Sequence, residues 1–193
     1  AIATHMAPGG TSILPRKVQA VHTLSADAGT EWGLGAHDDE HFYKAKHTKE
    51  VLDAAMRKKH HSSKFLELFN LLVMARVMSV HWEGKHVAVN VDNYALPRTL
   101  RRMTSPNAVE SAMLREIALL QIQHHWSWTV TWIPREENDA ADALSKNDMP
   151  RFRASGPAHA TELVVRPQHM RVPAAEAAAH VAASQTAAQE VAG

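Results

Sequence analysis

The stretch from Lys64 to Trp82 is apolar almost all the way round: Leu68, Phe69, Leu71, Leu72, Val73, Met74, Val77 and Val80 leave no polar face on a 3.6-residue repeat. A helix of that kind must be covered on every side, so this chain needs other layers packed around a central helix. Ser62 or Ser63 supplies the N-cap, with Glu67 near the capping-box position. Glu83-Gly84-Lys85 ends the helix. The run His86–Val91 that follows, with Val87, Ala88, Val89 and Val91, reads as a strand covered on both faces.

Upstream, Val18, Ala20, His22, Leu24 and Ala26 alternate as a first strand, closed by the turn Asp27-Ala28-Gly29-Thr30. Glu31–His37 and Glu40–Lys46 continue it as an antiparallel meander, and His47–His61 reads as a loop or short helix. Downstream, Tyr94–Met103 is helical, with Pro97 confined to its first turn. Asn107–His125 is a strong helix, Trp126–Ile133 a strand, and Glu137–Ser145 a last helix. The order βββαβ(αα)βα predicts an α/β fold: a mixed five-stranded sheet, made of the meander plus two further strands, with helices on both faces.

Among 193 residues, the ends differ from the middle. Residues 1–17 are Ala/Gly/Pro/Thr-rich without apolar period and predict a disordered segment; 18–150 form the domain; 151–193 predict an Ala/Pro-rich, mostly disordered tail, with a weak helix over Ala174–Ala188. The net charge of +1 names no partner. Basic residues cluster locally, at Arg57-Lys58-Lys59-His60-His61 with Lys64 and at Arg98, Arg101 and Arg102. The absence of cysteine excludes disulfides and thiolate zinc sites, and the fourteen histidines lack zinc-ligand spacing. No run approaches the ~20 apolar residues that span a bilayer, and no secretory leader is visible, so the expectation is an intracellular protein, cytoplasmic or nuclear, with no membrane partner.

Four carboxylates stand out. Asp27 and Asp92 end two strands able to be neighbours, Glu67 lies in the first turns of the central helix, and Asp142 lies in the last helix. Each alone reads better as an ordinary structural residue, Asp27 as a turn residue, Glu67 as a capping-box acid and Asp92 as an N-cap. Together, at the carboxyl ends of strands, four acids repel unless hard cations neutralise them, and oxygen-only ligation suits Mg²⁺ or Mn²⁺. Trp126, Trp128 and Trp132 share one strand face and read as core packing rather than as a base-stacking platform.

The same residues resemble the ribonuclease H domain of retroelement reverse transcriptases, most of all the DIRS-like elements. The matching motifs occur in order over Val21–Lys146: Ser25-Ala26-Asp27-Ala28 with Trp32-Gly33-Leu34-Gly35-Ala36; Phe65-Leu66-Glu67-Leu68; Val91-Asp92-Asn93; and Ile133-Pro134 leading to Asn138-Asp139-Ala140-Ala141-Asp142-Ala143-Leu144-Ser145-Lys146. The resemblance implies a ribonuclease H-like fold and cleavage of the RNA strand of RNA–DNA hybrids, with two divalent ions (Mg²⁺ or Mn²⁺) held by Asp27, Glu67, Asp92 and Asp142. Beside the acids, Asn93 and Ser145 are near enough to orient substrate or a metal-bound water, and Lys64 and Arg98 belong to the basic runs that could hold hybrid phosphates or be solvated surface; the partner to expect is a reverse transcriptase polymerase domain. Asn138 is expected to cap the last helix and Asp139 to be a charge favoured by the helix dipole. Two departures from the family pattern stand out: Asp27-Ala28-Gly29 replaces Asp-Ala-Ser, and the Pro134–Asn138 loop lacks the histidine of cellular relatives, with Arg135 or Glu136 in its place. The alternative is a non-catalytic module of the same fold that binds nucleic acid or a polymerase. A strand-transfer enzyme acting on DNA would need a glutamate that the sequence near Trp126–Trp128 does not offer.

Overall fold

The computed structural model describes residues 19–56 and 62–174. The expected disordered segment 1–17, the basic run Arg57–His61 and the tail beyond residue 174 lie outside the described residues. The strands are β1 (Gln19–Ala28), β2 (Gly33–His37), β3 (His41–Lys46), β4 (Lys85–Val91), β5 (Ser127–Trp132) and β6 (Thr161–Glu162). The helices are α1 (Lys49–Met56), α2 (Ser62–Met78), α3 (Leu96–Arg102), α4 (Ala108–Gln123), α5 (Asp139–Ser145) and α6 (Met149–Ser155).

The sheet order is β5-β4-β1-β2-β3-β6. β1, β2 and β3 form the expected antiparallel meander, and β4 and β5 add parallel strands beside β1. The sheet has six strands rather than five, because Thr161 and Glu162 pair in parallel with His41 and Phe42.

Side-chain alternation along each strand divides the core. Leu24, Ala26, Leu34, Ala36 and Tyr43 face the α1–α2–α4 layer, where α2 is buried from Phe65 through Ala75 as its unbroken apolar pattern requires. Phe42 points the other way, into a smaller cluster with Ala143, Leu144 and Phe152 of α5 and α6. Since α5 lies over β1, β2 and β3, β4 is covered on one face only. Val87, Val89 and Val91 are buried while His86, Ala88 and Asn90 are half-buried, which corrects the expectation of a doubly covered strand.

Two contacts seat the layers on the sheet. Gly35 lies so close beneath α5 that a Cβ there would sit 2.8 Å from the Ser145 backbone nitrogen, so only glycine lets the helix approach. On the other face, the buried Asn70 of α2 donates Nδ2 to the carbonyls of Asp27 (2.7 Å) and Gly35 (2.9 Å) and accepts from the Tyr43 hydroxyl (2.5 Å).

The folded unit runs past the expected boundary at residue 150. After α6 and β6, Leu163, Val165 and Val172 pack on the main core and Met170 is buried in it. Arg76 clamps this strap by donating to the carbonyls of His169 and Arg171, both at 2.7 Å, while Glu116 holds its guanidinium in a bidentate pair. Isolated valines between prolines carry no period, so the strap has no signature of its own; it is ordered by its partners. No helix among the described residues is long and apolar enough to cross a membrane.

Replacing Asn70 with Leu keeps its volume but strands the two buried carbonyls of Asp27 and Gly35, while the Tyr43 hydroxyl can still donate to the main-chain carbonyl of residue 70 at 3.0 Å. We expect a loss of about 1–3 kcal/mol per stranded group that water cannot reach, read as a lower urea midpoint at unchanged slope.

Candidate active site

β1 delivers Asp27 at its last turn of pleat, β4 delivers Asp92 immediately after its end, and α2 delivers Glu67 one turn before Asn70. Because β1 and β4 run parallel, both aspartates emerge at the same sheet edge, the position where open α/β sheets build sites. The three carboxylates line one cleft of about 510 Å³, together with Asn93, Trp32 and the Gly29–Thr30 turn. That turn is held from outside by His47, whose Nε2 donates to the Gly29 carbonyl at 2.6 Å.

Asp27 is 5 % exposed, and Ser145 Oγ lies 2.5 Å from its Oδ2 and 2.9 Å from the Asp142 carbonyl. One hydroxyl proton serves one acceptor at a time, so a protonated Asp27 would complete the set by donating to Ser145. Burial raises the Asp27 pKa, and the charges of Asp92 and Asp142 push the same way against the Ser145 hydrogen bond. Glu67 accepts from Ser63 Oγ and Asn93 Nδ2, both at 2.9 Å. This is a side-chain clamp, and it replaces the expected capping-box role. Burial, aided by Asp92 and Asp27, carries the Glu67 pKa to about 7 despite those hydrogen bonds. Asp92 is raised too, by burial first, with Arg135 opposing.

Asp142 behaves differently. It is 2 % exposed, yet Arg135 donates to its Oδ1 at 2.9 Å, and Lys146 and Arg151 both donate to Oδ2 at 2.8 Å. Burial would raise its pKa, but the hydrogen bonds from Lys146, Arg135 and Arg151 carry it down to about 2. Arg135 and Lys146 themselves line the cleft along with the three acids. The site therefore combines mutually repelling carboxylates with cations already engaged with Asp142.

The remaining expected residues divide. Asn93 is at the site, but its amide is spent on Glu67 and its Oδ1 on the Ala95 N–H at 3.0 Å. Ser145 touches Asp27, as described. Lys64 does not face the cleft: its Nζ donates to Glu110 of α4 at 2.8 Å. Arg98 is exposed on α3, away from the residues that line the cleft. Asn138 precedes α5 without a side-chain cap; its Nδ2 instead donates to the Ala26 carbonyl at 3.0 Å and ties the helix to β1. Asp139 pairs with Arg151, an ion pair added to any dipole effect. The cleft-facing role of Lys146 was readable, since it lies four residues after Asp142 on one helix face. Arg151 was not, because α6 turns back over α5 only through Asn147, whose φ is 60°.

Among the described residues, no three acidic or imidazole side chains are already gathered at metal-ligating spacing. The donor set fits a hard cation in chemistry all the same: every candidate atom is a carboxylate or amide oxygen, and burial and repulsion have raised the cost of ionising the three cleft acids.

A family model described as reverse transcriptase-like matches residues 47–148, more than half of the chain, and includes Glu67, Asp92 and Asp142. Among solved structures, LC11-RNase H1, isolated from compost by a metagenomic approach, aligns at a TM-score of 0.47 and 14 % identity over 68 % of this chain and 96 % of that one. No curated protein matches. With β1 supplying Asp27 from outside the matched span to complete the acidic set, the chain belongs to the reverse transcriptase-like family.

Proposed function

We propose that this domain is a divalent-metal-dependent endoribonuclease that cleaves the RNA strand of RNA–DNA hybrids and derives from a DIRS-like retroelement reverse transcriptase. The observation that carries the reading is the convergence of Asp27, Glu67 and Asp92, from three separate elements, on one cleft. Nothing in packing requires three acids there, and burial first, with repulsion from neighbouring carboxylates second, raises the pKa of each.

Asp27, Glu67 and Asp92 would hold Mg²⁺ or Mn²⁺, two ions in the full reading, with Asp142 joining once its pairs with Arg135 and Lys146 open. Bound there, the ions supply charge neutralisation at the scissile phosphate and a lowered pKa for the attacking water. The chain's own residues do the positioning. Asn93 and Ser63 fix the Glu67 carboxylate, and the Ser145 hydroxyl orients Asp27 by donating to its Oδ2. Arg135 and Lys146 are placed to receive phosphate oxygens in the cleft. A polymerase domain as partner belongs to the same reading.

The second reading, a non-catalytic module of the same fold, is favoured by one observation: Asp142 is already neutralised by three cations. Cleavage of a labelled RNA–DNA hybrid with Mg²⁺ separates the two. We expect the wild type to cut the RNA strand, and Asp92→Asn to lose about 100-fold or more, as removal of several kcal/mol of metal-borne stabilisation implies. A folded wild type that leaves the hybrid intact would sink the nuclease reading.

Glu67 gives a test that needs no turnover. Its folded pKa of about 7 lies above its ordinary 4.5, so the stability tied to its protonated form is full below about pH 4.5 and is lost as pH rises through 7. Glu67→Gln should therefore leave the metal-free stability unchanged near pH 4.5 and increase it at pH 8 by up to about 3 kcal/mol, seen as a higher Tm. Adding Mn²⁺ at pH 8 should raise the Tm of the wild type more than that of the variant, measured by calorimetry. Equal Mn²⁺ shifts would remove Glu67 from the metal set.

A further inference from the structure

The three tryptophans of the β5 region do not share one fate. Trp126 is buried against Trp82, at a ring separation of 5.1 Å, and Trp128 is half-buried against the same core. Trp132 is 44 % exposed, and its ring meets that of Tyr94, which is 83 % exposed, edge to face at 6.1 Å. The Trp132 indole is fixed in place because its Nε1 donates to the Asp92 carbonyl at 3.0 Å.

Three features say what this pair is for. First, it borders the cleft: Tyr94 follows Asp92 and Asn93 directly, and Trp132 is bonded to Asp92 itself. Second, it is exposed to solvent, and the Trp132 indole N–H is already satisfied by the Asp92 carbonyl, so a flat apolar ligand could stack on it without stranding that donor. Third, α3 packs on β5 and presents Arg98, Arg101 and Arg102, all exposed, at i, i+3 and i+4 on one helix face. Aromatic rings beside a row of guanidinium groups match a polyanion that carries flat bases, and they match an apolar peptide poorly.

We infer that Tyr94 and Trp132 form a stacking platform for a nucleobase of the nucleic-acid strand running out of the cleft, with the α3 arginines following its phosphates. This extends the proposed nuclease reading and rests on its placement of the cleft. It also gives Arg98 a role outside the cleft rather than within it.

The probes are a fluorescein-labelled RNA–DNA hybrid with a single-stranded overhang and the corresponding single strand, both in EDTA, with binding followed by anisotropy so that cleavage plays no part. Tyr94→Ala is the cleaner variant, because the Tyr94 ring makes no hydrogen bond to the acids; Trp132→Ala and Trp132→Phe accompany it, and Tm controls for folding. Tyr94→Ala and Trp132→Ala should each weaken binding by roughly 5- to 100-fold, the range of a lost base stack, while Trp132→Phe retains most of the affinity. Wild-type affinity in both Tyr94→Ala and Trp132→Ala overturns the platform and leaves the nuclease reading standing. Weakened binding by the alanine variants of a wild type that binds but never cleaves supports the platform and defeats the nuclease reading. A wild type that binds neither hybrid nor single strands in EDTA overturns the platform, and the Mg²⁺ cleavage assay decides the nuclease reading separately.

Discussion

The structure turns on one buried amide. Asn70 reaches from α2 to the carbonyls of Asp27 and Gly35 while the Tyr43 hydroxyl donates to it, so a single side chain joins the central helix to β1, β2 and β3. An apolar helix on an apolar sheet can slide, because hydrophobic burial has no direction. Three hydrogen bonds in a water-free interior do have direction, and breaking them leaves stranded polar groups. Glu67 is one turn earlier on the same helix, so the amide that registers α2 also registers Glu67 against Asp27. Gly35 supplies the matching constraint from the opposite face by admitting α5, and with it Ser145 and Asp142.

The four carboxylates of the site sit in opposite electrostatic settings. Asp27, Glu67 and Asp92 are held where ionisation is costly, and Asp142 where it is favoured three times over. In the proposed reading a cation beside Asp27, Glu67 and Asp92 would offset their mutual repulsion, whereas recruiting Asp142 would require displacing guanidinium and ammonium groups. Arg135 and Lys146 are therefore more than counter-ions: any polyanion that attracts them also loosens Asp142.

The elements with internal period were legible. The all-round apolar pattern of α2, the meander and the Pro97 and Asn107 helix starts all follow from residue spacing, and the structure repeats them. Asp27 and Asp92 could be placed because strand ends need only the strands to be identified. What escaped the sequence depends on distant partners. β4 looked doubly covered because apolarity alone does not say how far α5 reaches. Asn138 looked like a cap because its bond to Ala26 spans more than a hundred residues. Lys64 looked available because Glu110, its partner, sits on another helix. Trp126 and Trp132 share a face, and only the end of the core separates their roles.

The strap held by Arg76 bears on what counts as a unit of this protein. The span that carries the family signature, residues 47–148, omits β1 to β3 at one side and the strap at the other. Inherited pattern and mechanical closure have different borders here. A chain cut at residue 150 would keep every acid of the cleft yet lose the pieces that roof the far side of α2, among them Met170, and would open to water a seam between α2 and α4 that the strap seals. The part of the chain with the least recognisable sequence thus decides whether the part with the most can stay dry.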